Sequence, residues 1–132
     1  MTATYTPSLR LTKQGDNDNP NTWGNILNAQ VTALIEEAVS GVYNIDCSGG
    51  SNINIATSVV NGSTDIARHA ILELTGTLTA NIQLIVPAVD KAYFIRTDFV
   101  GAYTIEVIPA GGGSGIVFST DQSSALYVQG TN

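Results

Sequence analysis

Charge, cysteine and histidine are all scarce in this sequence. Of its 132 residues, 12% are charged, against about 25% in an average globular domain. It has one cysteine, Cys47, and one histidine, His69. This composition excludes an intrachain disulfide, a cysteine-rich zinc site and a histidine cluster. We therefore expect no metal, no cofactor, and a fold held by packing, backbone pairing or oligomerisation. Cys47 is expected to be a small buried hydrophobe or a loop residue.

Basic residues and long apolar runs are scarce as well. The net charge is −6, and the basic residues are scattered along the chain: Arg10, Lys13, Arg68, Lys91 and Arg96. A nucleic-acid or anionic-membrane partner needs a basic patch, which this distribution does not offer. No apolar run approaches the roughly 18 residues of a membrane span, and no segment has the pattern of a signal peptide. The sequence thus predicts no nucleic-acid binding and no membrane insertion.

One helix is predicted, over residues 20–41. Its apolar residues recur at steps of three or four, which places them on one stripe. They are Trp23, Ile26, Leu27, Val31, Leu34, Ile35 and Ala38. Asn19 or Asp18 can cap this helix, Pro20 suits its first turn, and Gly41 suits its end. The stripe covers fewer than two heptads, which is too few for a coiled coil by itself.

The segment before the helix, residues 1–19, is predicted to be an extended leader. It is polar apart from a short apolar island, in which the alternation of Leu9 and Leu11 suits a brief strand. Residues 15–19 have the composition of a turn. Such a segment cannot bury itself, and two interpretations stay open: an ordered strand that docks on a partner, and a disordered terminus.

Residues 42–132 predict a β-rich domain. Apolar and polar residues alternate in short segments at roughly ten-residue spacing, which indicates a small antiparallel β-sandwich or barrel-like domain. Residues 92–97 and 102–108 are predicted to form a hairpin, across which Arg96 can reach Glu106. Several segments are apolar on both faces, as at Ile71 and Ile85. A second core between subunits would cover those side chains.

The candidate catalytic and binding motifs are weak. His69 and Glu73 share a strand face but have no placed nucleophile. Residues 16–18 lack the remaining ligands of a calcium loop, and residues 111–115 lack the lysine and the helix of a phosphate cradle. Residues 61–63 match a glycosylation sequon but suit a turn better. A glycan-cleaving site would need a carboxylate pair in a groove. The sequence therefore predicts that the protein is not an enzyme.

Two sets of residues point to a known family. The first set is Tyr5-Thr6-Pro7, Leu9, Leu11, Gly15-Asp16, Asn21-Thr22-Trp23-Gly24, Leu27-Asn28 and Gly41. The second set is residues 75–88, Lys91-Ala92-Tyr93, residues 101–105 and Gly130-Thr131-Asn132. Together they cover most of the chain. They resemble the opening module, and the small β module that often follows it, of bacteriophage tail-fibre and tail-tip proteins.

The resemblance implies a structural virion protein, a tail-fibre or fibre-adaptor subunit made in the bacterial cytoplasm. Such fibres are usually homotrimers that attach to the tail or baseplate through the leader and helix. Its partners would be tail or baseplate proteins, and also a distal fibre or a host receptor. The candidate docking and interface residues are Tyr5, Leu9, Leu11, Trp23, Ile26, Leu27, Val31 and Leu34. Fibres of this type usually continue past this length, so we expect either a short fibre or adaptor or the proximal part of a longer one.

Two alternatives stay open at this point. Trp23 is either an anchor at a subunit or baseplate interface or a core residue that packs the helix on its own β domain. The alternative function is a small β-sandwich that recognises host-surface carbohydrate or protein, as a binding or decoration module. An exposed aromatic cluster would favour this alternative, and its candidate members are Tyr93, Phe94, Phe99, Tyr103, Phe118 and Tyr127.

Overall fold

The fold is described for residues 3–130 by a computed structural model. Two short strands come first, β1 (Thr4–Tyr5) and β2 (Thr12–Lys13), and they pair antiparallel. One continuous helical segment follows, made of α1 (Trp23–Leu27), a π-turn (Asn28–Thr32) and α2 (Ala33–Ser40). It lies within the predicted helix, residues 20–41. Among residues 3–130, no helix combines the length and the apolar composition needed to cross a membrane.

The rest of the described chain is mostly strand. The strands are β3 (Val42–Asp46), β4 (Ile53–Asn54), β5 (Ile71–Thr77), β6 (Ile82–Val86), β7 (Lys91–Val100), β8 (Ile105–Pro109), β9 (Ile116–Phe118) and β10 (Ser123–Val128). A single 3-10 turn, Ile66–Arg68, precedes β5. The prediction of a mainly β protein with one helix is therefore confirmed.

The strands from β3 onward form two four-stranded sheets, and the chain alternates between them from β3 to β8. Sheet 1 has the order β10-β7-β5-β3, and sheet 2 has the order β4-β6-β8-β9. In sheet 1, β3, β5 and β7 are parallel, and in sheet 2, β4, β6 and β8 are parallel. The chain thus makes three turns of a short coil, and each turn gives one strand to each sheet. The last two strands, β9 and β10, pair antiparallel with β8 and β7.

The predicted antiparallel sandwich or barrel-like domain is wrong in its strand pairing. Most pairs are parallel, and the sheets do not close into a barrel. The hairpin predicted for residues 92–97 and 102–108 does not form, because β7 and β8 lie in different sheets. Arg96 instead donates from Nη1 to Oε1 of Glu73, its neighbour across sheet 1, at 3.1 Å. A period of two shows which side chains share a face but not the direction of the neighbouring strand.

The core lies between the two sheets. Strand β7 shows the pattern over its whole length, because its odd-numbered residues are buried and its even-numbered residues are exposed. The innermost side chains, none more than 1% exposed, include Leu72, Leu74, Leu84, Tyr93, Ile95, Phe99 and Ile105. Cys47 is equally buried, which confirms the first of its two predicted roles.

The end of the helix is set by a close backbone contact. Gly41 follows α2 with φ −67° and ψ 137°, so it is extended and not left-handed. A Cβ atom at Gly41 would lie 2.4 Å from the carbonyl oxygen of Glu37. The prediction that Gly41 ends the helix is confirmed. Glycine is needed there because a side chain would collide with the backbone of Glu37, and not because the position has a positive φ.

The N-terminal segment differs from the predicted leader in the position of its strand. No strand forms around Leu9 and Leu11; residues 7–9 make a turn, and both leucines are half-buried. The N–H of Thr6 donates to the carbonyl of Leu11 at 2.9 Å, and Arg10 has φ +56°. An alternation over three residues is too short to separate a strand from a turn. Docking of this segment on a partner stays a prediction.

Cys47 is expected to react with a thiol reagent only when the fold opens. Burial, with a contribution from the charge of Asp46, raises the pKa of its thiol to about 11. The reactive thiolate is therefore almost absent at pH 8. A chromogenic disulfide reagent should label the native chain at least ~100-fold more slowly than the chain unfolded in urea, where the thiol pKa is near 8.5. Equal labelling rates would contradict the burial of Cys47.

Candidate functional site

The structure separates the sequence-predicted interface residues into two groups. Tyr5, Trp23 and Leu27 are exposed, with Trp23 58% exposed. The others are half-buried or buried against their own chain: Leu9, Leu11, Ile26, Val31 and Leu34. Leu34, at 3% exposure, anchors the helix. Trp23 is therefore not a core residue of its own β domain, and the second of its two predicted roles is wrong.

The helix has a polar and an apolar contact with the rest of the chain on its inner side. Gln30 accepts a hydrogen bond from the hydroxyl of Thr12 at 2.7 Å, and Glu37 accepts one from the hydroxyl of Thr64 at 2.7 Å. Leu34 is buried on the same side. These contacts fix which side of the helix faces outward.

The outward side of the helix is also apolar. Its exposed row, hereafter the helix row, consists of Trp23, Leu27, Ile35 and Val39, and Val39 is 73% exposed. Residues four apart drift by about 40° around a regular α-helix. The π-turn between Leu27 and Ala33 has a wider turn, which takes back part of this drift. The two halves of the helix row therefore stay on one side of the helix.

The outer face of sheet 1 carries a second apolar row. The strand register places Val42, Ile71, Phe94 and Ala125 side by side across all four strands. Tyr127 and Ala92 lie next to this row on the same face. Hereafter these six residues are the sheet row. Val42 is 53%, Phe94 61% and Tyr127 64% exposed.

The two rows approach each other along the chain at the end of the helix, and together we call them the apolar surface. Val39 is in the last turn of α2, and Val42 is the first residue of β3. The next row of side chains across sheet 1 is polar, made of Asn44, Glu73, Arg96 and Ser123. Alternation in the sequence showed that both faces of these strands are apolar. The parallel register of β3, β5 and β7 brings Val42 and Phe94 into one row, and the antiparallel pairing of β10 with β7 adds Tyr127.

Behind the helix lies a buried ionic cluster that the sequence did not reveal. Arg68, at the end of the 3-10 turn, is fully buried. Its guanidinium donates to the carbonyls of Leu9 and Val60, each at 2.9 Å, and to the carbonyl of Ser63. It also lies near two carboxylates, at 3.5 Å from Asp65 and 3.7 Å from Glu37.

A second arginine enters the same cluster from the N-terminal segment. Arg10 forms a forked contact with the carboxylate of Asp65, with its Nη2 2.9 Å from Oδ2. The carbonyl of Arg10 also accepts a hydrogen bond from the N–H of Gly62 at 2.8 Å. Asp65 is thereby shared between Arg10 and Arg68, and its Oδ1 accepts the N–H of Arg68 at 2.8 Å. The N-terminal segment, the helix and the coil are joined at this one cluster.

Cations outnumber carboxylates around this cluster. Burial lowers the pKa of Arg68, although the charges of Asp65 and Glu37 oppose the shift. Burial likewise lowers the pKa of Lys91 to about 8, with the positive charge of Arg10 adding to the effect. The ammonium of Lys91 lies 4.2 Å from the ring centre of Tyr93 and donates to two backbone carbonyls at 3.3 Å, including that of His69.

The catalytic pair considered from the sequence does not come together. His69 Nδ1 lies 2.9 Å from the carbonyl of Asp65, and the His69 ring packs against Tyr43 with 5.2 Å between ring centres. Glu73 pairs with Arg96 on the outer face of sheet 1. Residues 16–18 lie in a turn in which the carboxylate of Asp18 accepts the N–H of Gly15 at 2.9 Å. Within the described chain, no group of three histidine, cysteine, aspartate or glutamate side chains could hold a metal ion.

Comparison with protein-family models, with curated proteins and with solved structures finds no match to this chain. The arginine and aspartate side chains of the cluster are buried, whereas the apolar surface is open to solvent. The apolar surface is the candidate functional site.

Replacing Arg68 by methionine should destabilise the chain strongly. The substitution removes the donor to the carbonyls of Leu9, Val60 and Ser63 and one of the two cations beside Asp65, and breaking a buried ionic contact in this way typically costs about 3–5 kcal/mol of unfolding free energy. Urea unfolding followed by circular dichroism measures it. The matched control is Arg96→Met, which breaks the exposed Arg96–Glu73 pair and should cost no more than about 1 kcal/mol. Equal effects of the two substitutions would show that the buried cluster does not hold the fold.

Lys91→Met should stabilise the chain at neutral pH and lose that advantage as the pH rises. The pKa of Lys91 is about 8 in the folded chain and 10.5 as its ordinary value. Below pH 8, Lys91 is protonated in both the folded and the unfolded chain, so the folded chain carries the full penalty of a buried charge. Between these pH values the unfolded state binds more protons, so the parent gains stability with pH. We expect a difference of about 1–2 kcal/mol at pH 7 that shrinks towards pH 10.5.

The control for this pH profile is Lys13→Met, because Lys13 is exposed. Its stability relative to the parent should stay constant, within about 0.5 kcal/mol, over the same pH range. A parallel profile for the two variants would mean that Lys91 carries no buried-charge penalty.

Proposed function

We propose that this chain is a structural virion protein, a subunit of a bacteriophage tail fibre or fibre adaptor that assembles as a homotrimer. The observation that supports the assembly is the apolar surface, which consists of the exposed helix row and the exposed sheet row. Large exposed apolar patches mark interfaces in soluble proteins. The resemblance of the sequence to phage fibre proteins supports the virion role and the threefold symmetry.

The composition of the apolar surface suits contact between identical copies. Symmetric assembly brings the same residues of each copy together, so a surface with unpaired charges of one sign would repel itself. The helix row and the sheet row contain no charged residue, and the carboxylates beside them, Glu36 and Glu37, line one pocket with Val42 where the rows approach each other. The nearest charged pair on sheet 1, Arg96 and Glu73, is already neutralised within one chain.

The way the N-terminal segment is held suits attachment to a particle. Arg10 ties this segment to Asp65, and Glu37 ties the helix to the same loop. A force applied to the N-terminal segment would therefore reach the coil through charged contacts in the buried cluster and not through a loose linker. Of the candidate docking residues in this segment, Tyr5 is the exposed one.

A second candidate function is the binding of host-surface carbohydrate. The candidate aromatic residues for this function divide into a buried and an exposed group. Tyr93, Phe99 and Phe118 are core residues. Phe94 and Tyr127 are both exposed and lie on adjacent strands of the outer face of sheet 1. Two neighbouring aromatic rings on an open sheet offer apolar area against which a sugar ring can pack. In a trimer built on the apolar surface, the same rings are covered.

The solution mass of the chain distinguishes the two functions. Light scattering on a sizing column should give three times the 13.8 kDa chain mass. Val42→Asp, which places a charge in the apolar surface, should yield monomers, because each copy would bury an unpaired carboxylate. Val100→Asp is the matched control: Val100 is also an exposed valine on sheet 1, outside the sheet row, and this variant should stay trimeric.

A parent chain that is monomeric at all concentrations would overturn the trimer. Glycan-array binding would then test the second candidate. Binding lost in Phe94→Ala and kept in Val100→Ala would assign it to the aromatic pair.

A further inference from the structure

The last strand, β10, lies at the edge of sheet 1 and pairs only with β7 in the described chain. Edge strands are usually protected from further pairing by charges, proline or bulges. The sequence of β10, Ser123–Val128, contains no charged residue and no proline. Its pairing with β7 is regular over all six residues, without a bulge. This edge is therefore competent to accept another strand.

The backbone groups that β10 offers can be identified from its register. The N–H of Thr97 donates to the carbonyl of Gln122 at 2.8 Å, just before β10 begins. Because antiparallel pairs alternate, even-numbered residues of β10 point their backbone groups at β7. The odd-numbered residues point theirs at the free edge: Ser123, Ala125 and Tyr127. The hydroxyl of Ser124 donates to the carbonyl of Ala125 at 3.2 Å. A carbonyl oxygen has two lone pairs, so the carbonyl of Ala125 can still accept a hydrogen bond from another strand.

A cavity opens beside this edge, between the two sheets. Strand β9 has three residues and β10 has six, so the sheets part beyond Ile116. The cavity has a volume of about 200 Å³, and its floor consists of core side chains: Val86, Val107, Leu126 and Val128. An apolar cavity of about 150 Å³ can hold benzene. This one therefore has room for one leucine or phenylalanine side chain.

The edge and the cavity fit the same ligand. A strand that paired with β10 would point every second side chain into the gap between the sheets, where the cavity lies. Backbone hydrogen bonds then give affinity, and the cavity gives specificity for an apolar side chain. The polar side chains among its lining residues are those of Ser114, Tyr127 and Gln129.

The charges around β10 select between a second copy and a different partner. Asp121 precedes the strand, and Asp90 lies at its other end, where it accepts the N–H of Gly130 at 2.6 Å. The sequence after Arg96 contains no basic residue. Antiparallel pairing of two copies through β10 would bring these carboxylates towards one another. A partner with basic residues on either side of its strand would be attracted instead.

We propose that β10 is a docking edge for an extended segment of a different protein, a segment with alternating apolar residues and basic flanks. The segment pairs with Ser123, Ala125 and Tyr127, and one of its apolar side chains fills the cavity. This inference does not rest on the proposed trimer, because it uses the edge-facing backbone groups of Ala125 and Tyr127 and the cavity, whereas the trimer uses the outward side chains of those two residues.

A short fluorescent peptide, with threonine alternating with leucine between two pairs of lysines, tests the proposal by anisotropy. It should bind the full chain. Ala125→Pro should weaken binding at least ~10-fold, because proline lacks the N–H that faces the edge and is otherwise tolerated there. Ala125→Thr keeps that N–H and should bind within about 2-fold of the parent. A peptide with serine in place of leucine should bind at least ~10-fold more weakly, because it cannot fill the cavity.

A modified peptide covers the case in which Ala125→Pro disturbs the fold. With N-methyl groups on its edge-facing amides, the peptide cannot pair with the unaltered chain and should bind at least ~10-fold more weakly. Binding unaffected by this modification or by the loss of leucine would overturn the proposal. A dimer of the parent chain that disappears in Ala125→Pro would overturn it too, because a second copy would then occupy the edge.

Discussion

The burial of Arg68 is the constraint on which the arrangement of the chain depends. A guanidinium that has lost its water must have all its donors paired, since a buried unpaired charge costs several kcal/mol. Its partners come from three separate parts of the sequence: the carbonyl of Leu9, the loop before the 3-10 turn, and Glu37 of the helix. The N-terminal segment and the helix therefore cannot leave the coil independently. The contacts that hold the N-terminal segment and the helix on the coil are mainly polar, so the apolar residues of the helix row can face outward.

The coil explains why so much apolar surface remains. Each strand turns one set of side chains into the gap between the sheets, and those sets fill the core without help from the helix. The parallel register then stacks chemically similar outward residues, as it stacks Val42, Ile71 and Phe94 across sheet 1. The same rule stacks Glu73 beside Arg96. Because successive turns of the coil carry similar residues at matching positions, this register places those residues in rows across the sheet, one apolar and one polar.

Periodicity in the sequence was enough to predict the helix, the β character of the remainder, and the apolar character of both strand faces. It could not give strand direction, because alternation is the same in parallel and antiparallel sheets. It also could not reveal the cluster, because Arg10 and Asp65 are 55 positions apart and isolated charges are usually solvated. One local signal existed: Arg68 stands between buried positions at Ala67 and Ala70, with Asp65 three residues before it. The prediction of a single helix stripe is wrong, because Leu34 is buried on the inner side whereas Trp23 and Leu27 face solvent. The π-turn between Leu27 and Leu34 shifts the phase of the helix, and the sequence pattern assumed a regular α-helix.

The order in which the turns stack has a consequence for local opening. Within each sheet a strand pairs only with the strands beside it, so the cost of releasing one depends on how many neighbours it has. Strand β5 has a neighbour on each side in sheet 1, whereas β10 has one, and the short β9 closes its side of the last turn with three residues. Fraying should therefore start at β9 and β10 and travel towards the helix, with amide protons of β5 the slowest to exchange. The end of the coil at Arg68 should therefore stay closed while the end at β10 opens transiently.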